Sequence, residues 1–278
     1  MPFHLIKGSF HVVGYAPDGD SIRFQAENEA HWARLSGPPA SLNARRHAQL
    51  RLEATDTLET HFRNMHQPLG QATRAMDFLL HELNITEVQW DVLRTRISAA
   101  NDGTEGYVVT RNVEQYRRPV AFAFAGAAPE TDGSQLFLDA ERLRESVNYR
   151  LVEAGLAYPT FYTGLFWDLR EAFVEAVTQA RAASREIWSE DVTNSGFEVE
   201  SVESISERHV IMPKLFRRLA EYLEGGGSIE GFKQFLEQKA EGITVLSAAH
   251  FTHFDTIAEV DGNRVKMTER PENLVFAG

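Results

Sequence analysis

Arg51, Asp56 and Glu59 fall within nine residues of "RLEATDTLETHF" (51–62), with Thr57 between the two acids. Asp20 closes a "DGD" triplet upstream, and Arg118 opens "RPVAFAF" downstream. Residues of these types could hydrolyse a phosphodiester. That reaction needs a hard cation on a non-bridging oxygen, donors that neutralise charge developing on phosphorus, and an aimed water. Carboxylate and carbonyl oxygens suit a hard cation. Forked guanidinium donors match a phosphate, and a nearby carboxylate can orient the water or take its proton. Asp20, Asp56 and the main-chain oxygen of Thr57 are therefore candidate cation ligands. Glu59 is the candidate for the water, and Arg51 and Arg118 for the phosphate. A hairpin turn and a solvated strand end would look the same, and spacing alone leaves both readings open.

Several elements must position these residues. Residues 9–24 predict a β-hairpin around Asp18-Gly19, and the polar stretch 25–47 a long loop. Residues 48–55 alternate as a strand, with Leu50, Leu52 and Ala54 on one face and Arg51 and Glu53 on the other. Strands are also expected at 87–92, 106–111 and 118–124. Helical spacing marks 69–83, 139–154 with Gly155 as its stop, and 165–188. Beyond residue 196 the chain turns acidic and repetitive. Two amphipathic helices, "PKLFRRLAEYL" and "SIEGFKQFLEQKA", then flank three glycines, and a hairpin follows at Asp261-Gly262. The expected organisation is an α+β domain over 1–196, built as a small Greek-key barrel with packed helices, and an accessory α+β module over 197–278. The two amphipathic helices could pack against a second copy or a protein partner.

The 278 residues can bury a sizeable core. No cysteine is present, which excludes disulfides and thiolate chemistry. No signal peptide or spanning segment is evident, so a cytoplasmic protein is expected. The formal net charge of −12 argues against broad electrostatic grip on a polyanion. Any nucleic-acid chemistry must rest on a few placed arginines, and the first 196 residues carry 18 arginines and one lysine. His250 and His253 in "HFTHF" have helical metal-ligand spacing, but no third ligand accompanies them.

Residues 9–196 resemble the staphylococcal nuclease (thermonuclease) family. The resemblance rests on "PDGDSIRF", "LRLEATDTLET", "PLGQATRAMDFL", "QYRRPVAF", "SVNYRLVEAGLAY" and "REIWSEDVTNSG", six ordered matches over about two-thirds of the chain. It implies a five-stranded OB-fold barrel with three packed helices and a Ca2+-dependent phosphodiesterase of DNA and RNA leaving 3′-phosphates. By the same resemblance Asp20, Asp56 and Thr57 would hold calcium, and Glu59 would address the attacking water. Arg51 and Arg118 would stabilise the five-coordinate transition state. Phe161, Tyr162 and Tyr116 would contact substrate, with single strands favoured, and Trp188 would plug the third helix against the barrel. Phe166 and Trp167 read as core. The sequence departs from the family at Leu58, where a proline is expected, which should loosen the loop aiming Glu59. Pro119 after Arg118 biases that arginine toward extended backbone, and Thr163 stands where the family has a stacking tyrosine.

Overall fold

The computed structural model describes residues 2–277. In chain order the elements that matter for the site begin with strands β1 (Phe3–His11), β2 (Ser21–Ala26), β3 (Ala48–Leu52) and β4 (Thr55–Thr57). Helix α1 (Leu69–Glu82), strands β5 (Thr104–Val113) and β6 (Pro119–Ala125), helix α2 (Val147–Ala154) and strand β7 (Ala157–Pro159) follow. Helices α3 (Trp167–Ala182), α4 (Pro213–Glu224) and α5 (Phe232–Lys239) complete the set. The chain divides into two compact units, one of residues 1–53 with 76–151, the other of 54–75 with 152–278. The boundary expected at 196 falls inside the second unit.

The first unit is a closed five-stranded barrel of order β1-β2-β3-β6-β5, with β1 pairing both β2 and β5 to complete the ring. All neighbours are antiparallel except β3 and β6, which run parallel. That order is consistent with an OB-fold barrel. Alternation builds it: Ile22 and Phe24, Leu50 and Leu52, and Phe122 and Phe124 are all buried, while Ser21, Arg23 and Gln25 of β2 and Gln49 and Arg51 of β3 face outward. Gly8 sits where β1 crowds β2, and a Cβ there would lie 2.0 Å from the Gln25 carbonyl oxygen. Fully buried Asn148 ties the end of β3 to β6. Its amide donates to the carbonyls of Glu53 at 2.9 Å and Ala121 at 3.0 Å, and its oxygen accepts from the Ala123 N–H at 2.9 Å.

The second unit joins β4 to β7 in an antiparallel ribbon. Strands Gly242–Val245, His250–His253 and Leu274–Phe276 form a small sheet with Phe161–Tyr162. Apolar faces of α3, α4 and α5 fill its core, with Leu169, Phe173, Leu215, Phe216, Leu219 and Phe232 at 0% exposure. The two amphipathic helices thus spend their apolar faces inside the unit, not on a second chain.

Local expectations differ from the structure at identifiable points. The helix expected over 139–154 is broken into Ala140–Leu143 and α2, because the Ser146 hydroxyl donates to the Leu143 carbonyl and accepts from the Tyr149 N–H. The third helix stops at Ala182, and Trp188 lies in a separate 3-10 turn, Glu186–Ser189. Trp188 is buried there, its ring 4.9 Å from Tyr158 and 4.3 Å below the Arg181 guanidinium. Trp167 is not core: it is 64% exposed at the start of α3. His250 and His253 lie in an exposed strand, where an odd offset points them to opposite faces and rules out a shared ion. No helix among the described residues is long and apolar enough to cross a membrane.

Candidate functional site

Three of the residues singled out by their chemistry lie in the barrel unit. Ser21 pairs with Arg51 across β2 and β3, and the Leu52 N–H donates to the Asp20 carbonyl at 2.9 Å. Arg51 pairs in turn with Val120 of β6, two residues beyond Arg118. Register alone therefore gathers Asp20, Arg51 and Arg118 at one end of the barrel. Arg118 is fixed by a turn: Glu114 accepts from both its backbone N–H and its Nε at 3.1 Å. Tyr116, in the same turn, is 71% exposed with its ring 5.9 Å from the Arg118 guanidinium, leaving a π-face to solvent.

The remaining three lie in the second unit, on the strand and loop after Ala54. Asp56 pairs with Tyr158 and Thr57 with Ala157, so β7 holds the strand that carries Asp56. Asp56 is 2% exposed, so its charge requires a partner. Arg217 of α4 supplies one. Its Nη1 and Nη2 donate to Oδ1 and Oδ2 of Asp56 at 3.0 and 2.8 Å, and Nη1 also donates to Oε1 of Glu59 at 2.5 Å. The Arg217 side chain is only one-fifth exposed. Burial works against its charge, but the two carboxylates outweigh that cost and hold its pKa well above the ordinary value.

The loop carrying Glu59 is not slack, as its missing proline had suggested. Buried Gln67 clamps it: the Glu59 N–H donates to the Gln67 side chain at 3.2 Å, the Gln67 N–H donates to the Glu59 carbonyl at 2.9 Å, and the Gln67 amide reaches the Ile211 carbonyl at 2.8 Å. Leu58 itself is buried where proline would stand. Phe62 meets Phe216 edge to face at 6.2 Å, and Arg63 pairs with Glu224 at 2.6 Å. His66 pairs with Glu207 at 3.2 Å. Helix α4 and the acidic loop are thus packed as one piece.

One substrate contact needs correction. Phe161 is fully buried against Phe173, so no ring face is offered to a base. The Tyr162 hydroxyl accepts from Lys214 Nζ at 3.2 Å, and that ammonium also pairs with Glu241 at 2.5 Å. Arg217 is the residue that sequence reasoning missed. Its signal was present: in "PKLFRRLAEYL" it lies at i+4 from Pro213 and i−3 from Ala220, on the apolar stripe, where a cation needs a buried acid.

A hard cation does not fit the acids as they stand, since both Asp56 oxygens and one of Glu59 are engaged by Arg217. Among the described residues no group of three or more His, Asp or Glu side chains is arranged to hold a metal ion. Comparison with known proteins adds no identity: no family model matches the chain, and no curated protein matches it significantly.

Proposed function

We propose that the chain is a phosphodiesterase of the thermonuclease type, acting on single-stranded DNA or RNA, with its acid pair kept latent by Arg217. The observation that carries this reading is the convergence of Asp56 and Glu59 on a single cationic centre. That is what a divalent ion would require of them, with a guanidinium in its place. Arg51 and Arg118 take the role of phosphate grips, planar donors suited to the charge that builds on phosphorus. Glu59, once released, is the group that orients or deprotonates water. Calcium binding is conditional on withdrawal of Arg217, because Asp56 cannot serve both partners. Products would carry 3′-phosphates, and a cytoplasmic setting is part of the proposal.

A second reading is favoured by the seating of Arg217. Its helix buries Leu215, Phe216, Leu219 and Ala220 completely, so the guanidinium could stand permanently for the ion in a barrel that binds without cutting. An end-labelled single strand incubated with the wild-type chain and with Arg217→Met, in calcium and in chelator, separates the two. Cleavage that appears in the variant only with calcium supports the latent nuclease. Binding without cleavage under all four conditions supports the scaffold and ends the enzymatic reading.

A further inference from the structure

On the barrel unit, Arg23 and Arg45 converge on one tyrosine ring. The protein has 40 acidic and 28 basic residues, and several of its arginines pair with acids: Arg46 with Glu29, Arg142 with Glu130, Arg150 with Glu82, Arg118 with Glu114. Neither Arg23 nor Arg45 has an ion-pair partner among the described residues. Arg23 is half-buried on β2, and its Nε finds no hydrogen-bond acceptor within the protein. Burial lowers its pKa, and Tyr15 rather than a carboxylate opposes that effect. A partly desolvated guanidinium left uncompensated is costly, and in a chain so rich in acids a compensating side chain would have been easy to place.

The surroundings are built. Arg23 and Arg45 lie 5.1 and 5.6 Å from the centre of the Tyr15 ring. The Tyr15 hydroxyl is held by the Asn43 amide at 2.8 Å and by His47 Nδ1 at 3.1 Å. Arg45 donates to the Val13 carbonyl at 2.8 Å beside Gly14, where φ is +89° and a Cβ would lie 3.2 Å from Arg45 Nη1. His47 stacks on His11 at 4.1 Å. The acid beside His11, Asp102, is already engaged by the Val12 and Val13 N–H groups and by His11. Arg23 pairs with Gln49 and Ser21 with Arg51 across β2 and β3, so Arg23 and Arg51 are diagonal neighbours on one outer face. Their Cα atoms are about 8 Å apart by strand geometry.

We propose that Arg23 and Arg45, both beside the Tyr15 ring, form a phosphate-binding subsite for a backbone phosphate of the same single strand that Arg51 contacts. The strand then runs along the outer face of β2 and β3. This subsite rests on the proposed function for the identity of its ligand, though not for its anion chemistry.

The test uses the full chain in chelator, where no cleavage occurs. Fluorescence anisotropy with labelled strands of two and of eight nucleotides should show that Arg23→Met and Arg45→Met weaken the longer strand roughly tenfold, reduce the salt slope by about 0.7 each, and leave the dinucleotide unaffected. The Arg23 Nε–Hε resonance provides a second measurement. A shift with the octanucleotide alone assigns the subsite to polynucleotide, and a shift with inorganic phosphate as well assigns it to phosphate in general. A resonance unmoved by either, or variants that bind like wild type, overturns the proposal. Failure of Arg217→Met to cleave in calcium would sink the nuclease reading while leaving these binding results standing.

Discussion

A buried carboxylate pair and a buried guanidinium are each costly alone and tolerable together, which makes Arg217 the residue on which the second unit turns. Truncation to Arg217→Met leaves Asp56 and Glu59 facing one another uncompensated, and a loss of about 3 kcal/mol of stability is expected in chemical denaturation. Calcium should restore part of that loss in the variant and leave the wild type unchanged; a calcium shift equal in both would show that the acids are not in competition. Gln67 carries a comparable burden for the loop, and Gln67→Ala should cost about 2 kcal/mol by orphaning the Ile211 carbonyl and freeing Glu59. His47 gives the pH dependence. Burial first, then His11 and the arginines, lower its pKa from 6.5 to about 4. The unfolded chain therefore binds the extra proton between those values. The stability contribution is complete above pH 6.5 and is lost as pH falls toward 4. Thermal midpoints of His47→Gln followed over that window should lose this part of the slope. Asp56, Glu59, Arg51 and Arg118 could be singled out in the sequence because their types announce a possible chemistry. Arg217 was not legible, because a lone arginine in an amphipathic helix reads as solvated until its stripe position is weighed.

At the scale of elements, the barrel strands were legible from alternation, since each has one face that must be buried and one that need not. The helix ends were less so: Ser146 breaks one helix through a hydroxyl that competes for backbone groups, a local contest that apolar spacing does not register. Helix α4 is the element with functional consequence. Phe216→Ala removes a fully buried ring facing Phe62 and should destabilise the second unit by about 3–4 kcal/mol. If α4 is the latch, this variant should also raise calcium-dependent cleavage relative to wild type at temperatures where it remains folded. Unchanged cleavage alongside the stability loss would assign α4 a packing role only.

Across the whole molecule, the sequence suggested a catalytic domain with an appendix, whereas the structure places residues 197–278 in one unit with 54–75 and 152–196. The change in composition near 196 marks a change of surface polarity, and nothing in composition reports that α4 completes the core around the acidic loop. A fragment ending at residue 196 should accordingly lose cooperative unfolding of its second unit and aggregate, as gel filtration and circular dichroism would show. The net charge of −12 remains a bound on affinity: whatever strand the barrel holds should dissociate readily as salt rises, since only a few arginines release counterions.

The central claim is that Arg217 and a divalent ion compete for Asp56 and Glu59. Calorimetric titration of calcium into wild type and into Arg217→Met, with Asp56→Asn added to the variant as control, tests it most directly. The account predicts negligible heat from wild type, one bound ion in the variant, and none once Asp56 is also replaced. Equal calcium binding by wild type and variant, or none by either, would contradict it.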